Sequence, residues 1–137
     1  MSSGIAVSDD VTEKYNQLKL KHTLKWFIMK IQDKKTVIVE AEGDASSTYD
    51  KFLESMPKDQ PRYAVVDIEY ETDDGRKQEK VAFISYCPDD GPGVKDKMIH
   101  SSTLDAVKKK FTGFAKALQC TEWDEISLDS VIAELKK

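Results

Sequence analysis

Two long strand-like runs joined by a tight turn limit the folds open to this chain. "YAVVDIEYE" covers Tyr63 to Glu71, "TDDG" follows, and "EKVAFISY" covers Glu79 to Tyr86. In the first run Val66, Ile68 and Tyr70 alternate with Asp67, Glu69 and Glu71. That two-residue period predicts a strand with one buried and one wet face. The turn reverses the chain, and the second run carries too few charges for an exposed edge. An antiparallel pair of this kind needs helices or further strands over its apolar face.

The flanking sequence supplies them. Met1 to Val7 is uncharged and mostly small, and reads as a mobile arm. Ser8 is placed to cap a helix with Asp9 and Asp10 at its positive end and Val11, Tyr15 and Leu18 on its buried face. "KWFIMKI" and "TVIVEAE" form a hairpin about "DKK". "STYDKFLESM" is a short helix ended by Pro57. After the second long strand come a loop, "CPDDGPG", and a basic helix that Phe114 and Leu118 extend beyond Gly113. "EWDEIS" reads as a short strand, and Val131, Ile132 and Leu135 mark a terminal helix. Helices around four central strands predict a single α/β (α+β) domain over the 137 residues, with a mixed sheet. The crossing from Glu42 to Arg62 has its own helix and suits parallel strands.

Several functions are disfavoured. No run approaches the ~18 apolar residues of a membrane span, and the first residues lack the pattern of a secretion signal. An intracellular protein with Cys87 and Cys120 as reduced thiols is expected. A net charge of −4 argues against nucleic acid. With two histidines and no nucleophile, phosphate-loop or zinc motif, the chain offers no carrier for catalysis, cofactor or metal. The acidic pairs Asp73–Asp74 and Asp89–Asp90 lie in turns, where Asp is common. His100 is expected to face solvent or pack partly, in preference to a thiol–imidazole pair with Cys87.

The basic helix stands out because the chain is acidic. Lys95, Lys97, Lys108, Lys109 and Lys110 gather there. At about 100° per residue, Leu104, Val107, Phe111, Phe114 and Leu118 form a core stripe. Met98, Ser101, Asp105, Lys108, Lys109 and Thr112 then face water or a partner. A solvated face and a binding face are equally compatible with that composition, although small hydroxyls and an adaptable Met favour close contact.

"SGIAVSD", "YAVVDIEYE", "CPDDGPGVKDKM" and "KMIHSSTLDAVKKKF", in that order, resemble the actin-depolymerising factor (ADF)/cofilin family over essentially the whole chain. The resemblance implies the ADF-homology fold, a five- or six-stranded mixed sheet with helices on both faces. It implies a monomeric, non-catalytic protein without cofactor that binds actin monomers and filaments, prefers ADP-bound subunits, and promotes depolymerisation, severing and turnover. It places the protein in the cytoplasm on the actin cytoskeleton, with nuclear entry left open. Carried over by position, the monomer-side surface comprises Ser3, Gly4, Lys95, Lys97, Met98, Asp105, Lys108 and Lys109. The resemblance further implies that phosphoinositide head groups compete for the same lysines, and that Ser3 stands at the position of a phosphorylation switch.

The filament-side surface implied by the resemblance contains Lys80, Lys136 and Lys137. The sequence departs from the family pattern at Gln78, Ala133 and Glu134, where charged or basic residues are common. Leu104 replaces a frequent Lys, and Gly93 is an apparent insertion. Weakened filament-side binding is therefore expected. The alternatives are a relative that binds a branching complex, or filaments without severing, and a phosphoinositide-binding adaptor.

Overall fold

The computed structural model describes residues 5–137. The chain order is β1 (Ala6–Val7), α1 (Asp9–Lys19), β2 (Leu24–Gln32), β3 (Thr36–Asp44), α2 (Tyr49–Ser55), β4 (Arg62–Glu71), β5 (Lys77–Tyr86), α3 (Val94–Lys108), β6 (Lys116–Cys120), a 3-10 turn (Trp123–Ile126) and α4 (Leu128–Leu135). These strands form one six-stranded sheet ordered β1-β3-β2-β4-β5-β6.

Both hairpins appear where the apolar patterns and turns predict them. Asp33 and Lys34 take the positive φ values of 54° and 57° that a tight hairpin turn demands. β4 and β5 pair antiparallel from Arg62↔Tyr86 to Glu71↔Lys77. β2 pairs antiparallel with both β3 and β4, so the α2 crossover joins two strands of like direction with β2 between them.

Side-chain alternation builds two cores. Residues such as Ile28, Ala64, Val66 and Ile84 pack with Phe52 of α2 and Val131 and Leu135 of α4. Phe27, Tyr63, Val65 and Phe83 point the other way, onto Val11, Tyr15 and Leu18 of α1 and Val107 of α3. The α1/α3 and α2/α4 layers therefore lie on opposite faces of the sheet.

Five local expectations are corrected. Ala6 and Val7, assigned to a mobile arm, pair in parallel with Thr36 and Val37 on β3, because that edge offers unpaired backbone groups. Ser8 sits at the N-cap of α1, but its hydroxyl bonds the Asp10 carboxylate instead of capping the backbone. Asp67, expected on a wet face, is only 7% exposed, on the side of the sheet that carries α1 and α3, with His22 of the α1–β2 connection beside it.

α3 stops at Lys108 and does not run on to Leu118. Amides of Lys110 and Phe111 close tight final turns onto Val107 and Lys108, and Gly113 then turns the chain at φ +80°. Phe111 is buried beside Tyr15, at 4.7 Å between ring centres, whereas Leu118 lies in β6 within the opposite core. Finally, Trp123–Ile126 forms a 3-10 turn instead of a strand, with Glu122 and Glu125 completing a reciprocal capping box.

Candidate functional site

α3 is fixed to the sheet through one buried polar residue. The His100 imidazole stacks on the Tyr63 ring at 4.1 Å, and its Nε2 lies 2.9 Å from Ser85 Oγ. The Tyr63 hydroxyl donates to the His100 carbonyl at 2.6 Å. Burial holds the imidazole down to about 4, so it is neutral at pH 7. This corrects the expectation of a solvent-facing or partly packed histidine: His100 is 3% exposed and hydrogen-bonds Ser85. Thr103 and Val107 continue the buried face one and two turns on.

The opposite face is open. Four large apolar side chains are exposed among the described residues, and two of them, Val94 at 76% and Met98 at 66%, stand one turn apart on α3. Ser101 and Asp105 extend the same line and are exposed. Val94 escapes a reading based on lysines, but its i, i+4 spacing to Met98 is legible in the sequence.

Lysines border this apolar pair. Lys95 is exposed, while Lys97 is half-buried and donates its ammonium to the Asp89 carbonyl in the preceding loop. Lys108 and Lys109 lie at the far end. None of the ion pairs among the described residues uses a lysine of α3 or of the turn after it. Elsewhere Lys14, Lys25, Lys30, Lys51 and Lys116 are paired with carboxylates. The α3 lysines thus make no ion pair among the described residues, and what sets them apart from other such lysines, Lys21, Lys34 and Lys35 among them, is the exposed apolar pair that they border. Six of the eight expected monomer-side residues come together here, and Ser3 and Gly4 lie outside the described residues.

Lys80, Lys136 and Lys137 also gather, at the C-terminal end of α4, but each is locally engaged. Lys80 Nζ donates to the Leu135 carbonyl at 3.2 Å and stands 6.0 Å from the Tyr70 ring centre. Lys136 pairs with Asp73 in the β4–β5 turn at 3.2 Å, and Lys137 with Glu134 at 2.8 Å. Lys116 donates to the Glu134 carbonyl at 3.1 Å, so two ammonium groups satisfy the last carbonyls of α4. Away from both surfaces, the one grouping of His, Cys and carboxylate side chains among the described residues with all ligand atoms within 4.8 Å is His22, Asp67 and Glu79.

The family model described as "Cofilin/tropomyosin-type actin-binding protein" matches residues 4–136. The chain is 38% identical to a cofilin of Mycosarcoma maydis over 137 residues, covering 100% of this chain and 98% of that one. It is 41% identical over 136 residues to actophorin of Acanthamoeba castellanii, covering 98% and 97%. The crystal structure of Streptomyces griseoflavus cofilin superposes with a TM-score of 0.86 at 34% identity, covering 96% of this chain and 99% of that one. Coactosin of Entamoeba histolytica, at 20% identity and a TM-score of 0.78 over 98% and 96% of the two chains, shares the fold. With its matching sheet, its helical layers and nearly every residue aligned, the chain belongs to the ADF/cofilin family of actin-binding proteins.

Proposed function

We propose that this protein binds actin monomers through α3 and the N-terminal residues, engages filaments through the α4 end as a second contact, and promotes filament depolymerisation, severing and turnover in the cytoplasm. The observation that carries the reading is the open α3 face: Val94 and Met98 exposed between lysines that make no ion pair among the described residues. An apolar centre supplies close packing and a basic rim orients an acidic partner such as actin. The two contacts lie on opposite faces of the sheet, which suits a protein that touches two filament subunits at once.

Ser3 is the modification point in this reading. A phosphate there would bring nearly two negative charges toward an acidic partner and weaken the contact. The α3 lysines also suit phosphoinositide head groups, whose phosphates would compete with actin for the same cations.

Co-sedimentation with filamentous actin, with subunit release measured in parallel, tests the proposal. Pelleting together with accelerated release is expected. Pelleting without release would indicate a filament-stabilising relative, and binding only to phosphoinositide vesicles would indicate a lipid adaptor.

A further inference from the structure

The α1/α3 side of the sheet contains a cluster that the actin surfaces do not use. Asp67 of β4 is 7% exposed, and its Oδ1 has no hydrogen-bond partner among the described residues. Its Oδ2 lies 4.0 Å from Nδ1 of His22, which is itself 3.7 Å from Glu79 Oε1. His22 reaches this position from the α1–β2 connection by taking a positive φ of 56°.

The surrounding charge leaves an acidic excess. Glu79 stands directly opposite Glu69 in the β4–β5 register, an arrangement that costs stability when both are ionised. Lys25 pairs with Glu69 at 3.1 Å and also favours the Asp67 carboxylate, so one ammonium and one imidazole face the three carboxylates Asp67, Glu69 and Glu79. A divalent cation would relieve both the repulsion and the unsatisfied buried carboxylate oxygen.

We propose that His22, Asp67 and Glu79 form a site for a zinc-like transition-metal ion. Ligands at ~2.1 Å around a tetrahedral ion stand about 3.4 Å apart. The separations from the imidazole, 4.0 and 3.7 Å, are somewhat longer than that, all the ligand atoms lie within 4.8 Å of one another, and His22 and Glu79 are exposed enough to close on an ion. One imidazole nitrogen with two carboxylates selects zinc and its neighbours over calcium or magnesium, which take oxygen ligands in larger number or regular octahedra. Water completes the coordination from the open side. Such an ion joins the α1–β2 connection to the central hairpin.

Calorimetric titration of the full chain with Zn²⁺ alone tests the site. One ion per chain is expected. His22→Asn, which keeps a residue tolerant of positive φ, and Glu79→Gln should each weaken binding at least about tenfold, the lower end of what disturbing a metal-supporting group costs. Cys87→Ser, which removes the half-buried thiol as a competing ligand, should bind as the unaltered protein does. Unchanged affinity in His22→Asn and Glu79→Gln, loss in Cys87→Ser, or no binding at millimolar Zn²⁺ would each overturn the proposal.

Discussion

The imidazole of His100 lies almost flat on the ring of Tyr63, 10° from parallel, while the Tyr63 hydroxyl bonds the His100 backbone carbonyl. One residue of β4 thus holds both the side chain and the main chain of the helix that presents Val94 and Met98. The position of the open face depends on a neutral, buried imidazole.

That dependence has a pH signature. Unfolded, His100 takes a proton near 6.5, but folded only near about 4, so acidification between those values favours the unfolded chain. Asp67 acts in the opposite sense. Burial first, and Glu79 second, raise it from 3.8 to about 6, so its contribution is fully present below 3.8 and is lost as pH rises through 6. Each shift corresponds to about 3 kcal/mol, and the two oppose each other across most of the same window. We expect Asp67→Asn, measured by denaturant unfolding with a chelator present, to lose about 2 kcal/mol more than the unaltered protein as pH falls from 6 to 4. Parallel stability curves would remove this account of the two groups.

Met98→Ala should weaken monomeric actin binding by about 1–2 kcal/mol, some 5- to 30-fold, as for an apolar group near the centre of an interface. Because the side chain is exposed, folding stability should change by less than about 0.5 kcal/mol. Fluorescence titration with thermal unfolding reads both quantities. Equal affinity would exclude the Val94–Met98 line as a contact.

Lys95→Ala and Lys97→Ala should both weaken actin and phosphoinositide binding but differ in a second respect. Lys97 ties α3 to the Asp89 carbonyl, whereas Lys95 has no such bond. Hydrogen exchange in the Cys87–Gly93 loop should therefore quicken in Lys97→Ala alone. Equal exchange in both variants would show that the Lys97 bond does not hold the loop.

Negative charge at position 3 tests the proposed switch. Ser3→Glu should depolymerise filaments less well than Ser3→Ala, and the difference should shrink as salt rises and screens the repulsion. Equal activities at low salt would mean that this position does not regulate binding.

The sequence period was enough for the four central strands, though not for β1 or β6, and for the outward direction of Met98 and Asp105, because alternation and the helical wheel depend on local geometry. It could not locate the end of α3. Phe111, Phe114 and Leu118 keep helical spacing, yet Gly113 redirects the chain and Leu118 enters the other core. Nor could alternation tell that Asp67 would be buried, since its neighbour His22 comes from a connection 45 residues earlier in the chain. The engagement of Lys80 with Leu135 spans 55 residues and has no local signal.

The filament-side departures become sharper in three dimensions. Lys80 supports the end of α4, and Lys136 and Lys137 already have carboxylate partners, so little free positive charge remains there. A second weak contact raises affinity only when both contacts form together. We therefore expect near-family monomer binding with weak stable decoration of filaments. Glu134→Arg is a poor way to add charge, because it would set like charges against Lys116 and Lys137, now 3.7 and 2.8 Å away. Gln78, two residues before Lys80 on β5, is half-buried and takes part in no ion pair, so Gln78→Arg adds a cation without breaking one. The substitution should increase the protein pelleted with filaments and leave monomer affinity within about twofold, since α3 lies across the sheet. Saturation of filaments by the unaltered protein at physiological salt, or a changed monomer affinity in Gln78→Arg, would show that the filament contact lies elsewhere.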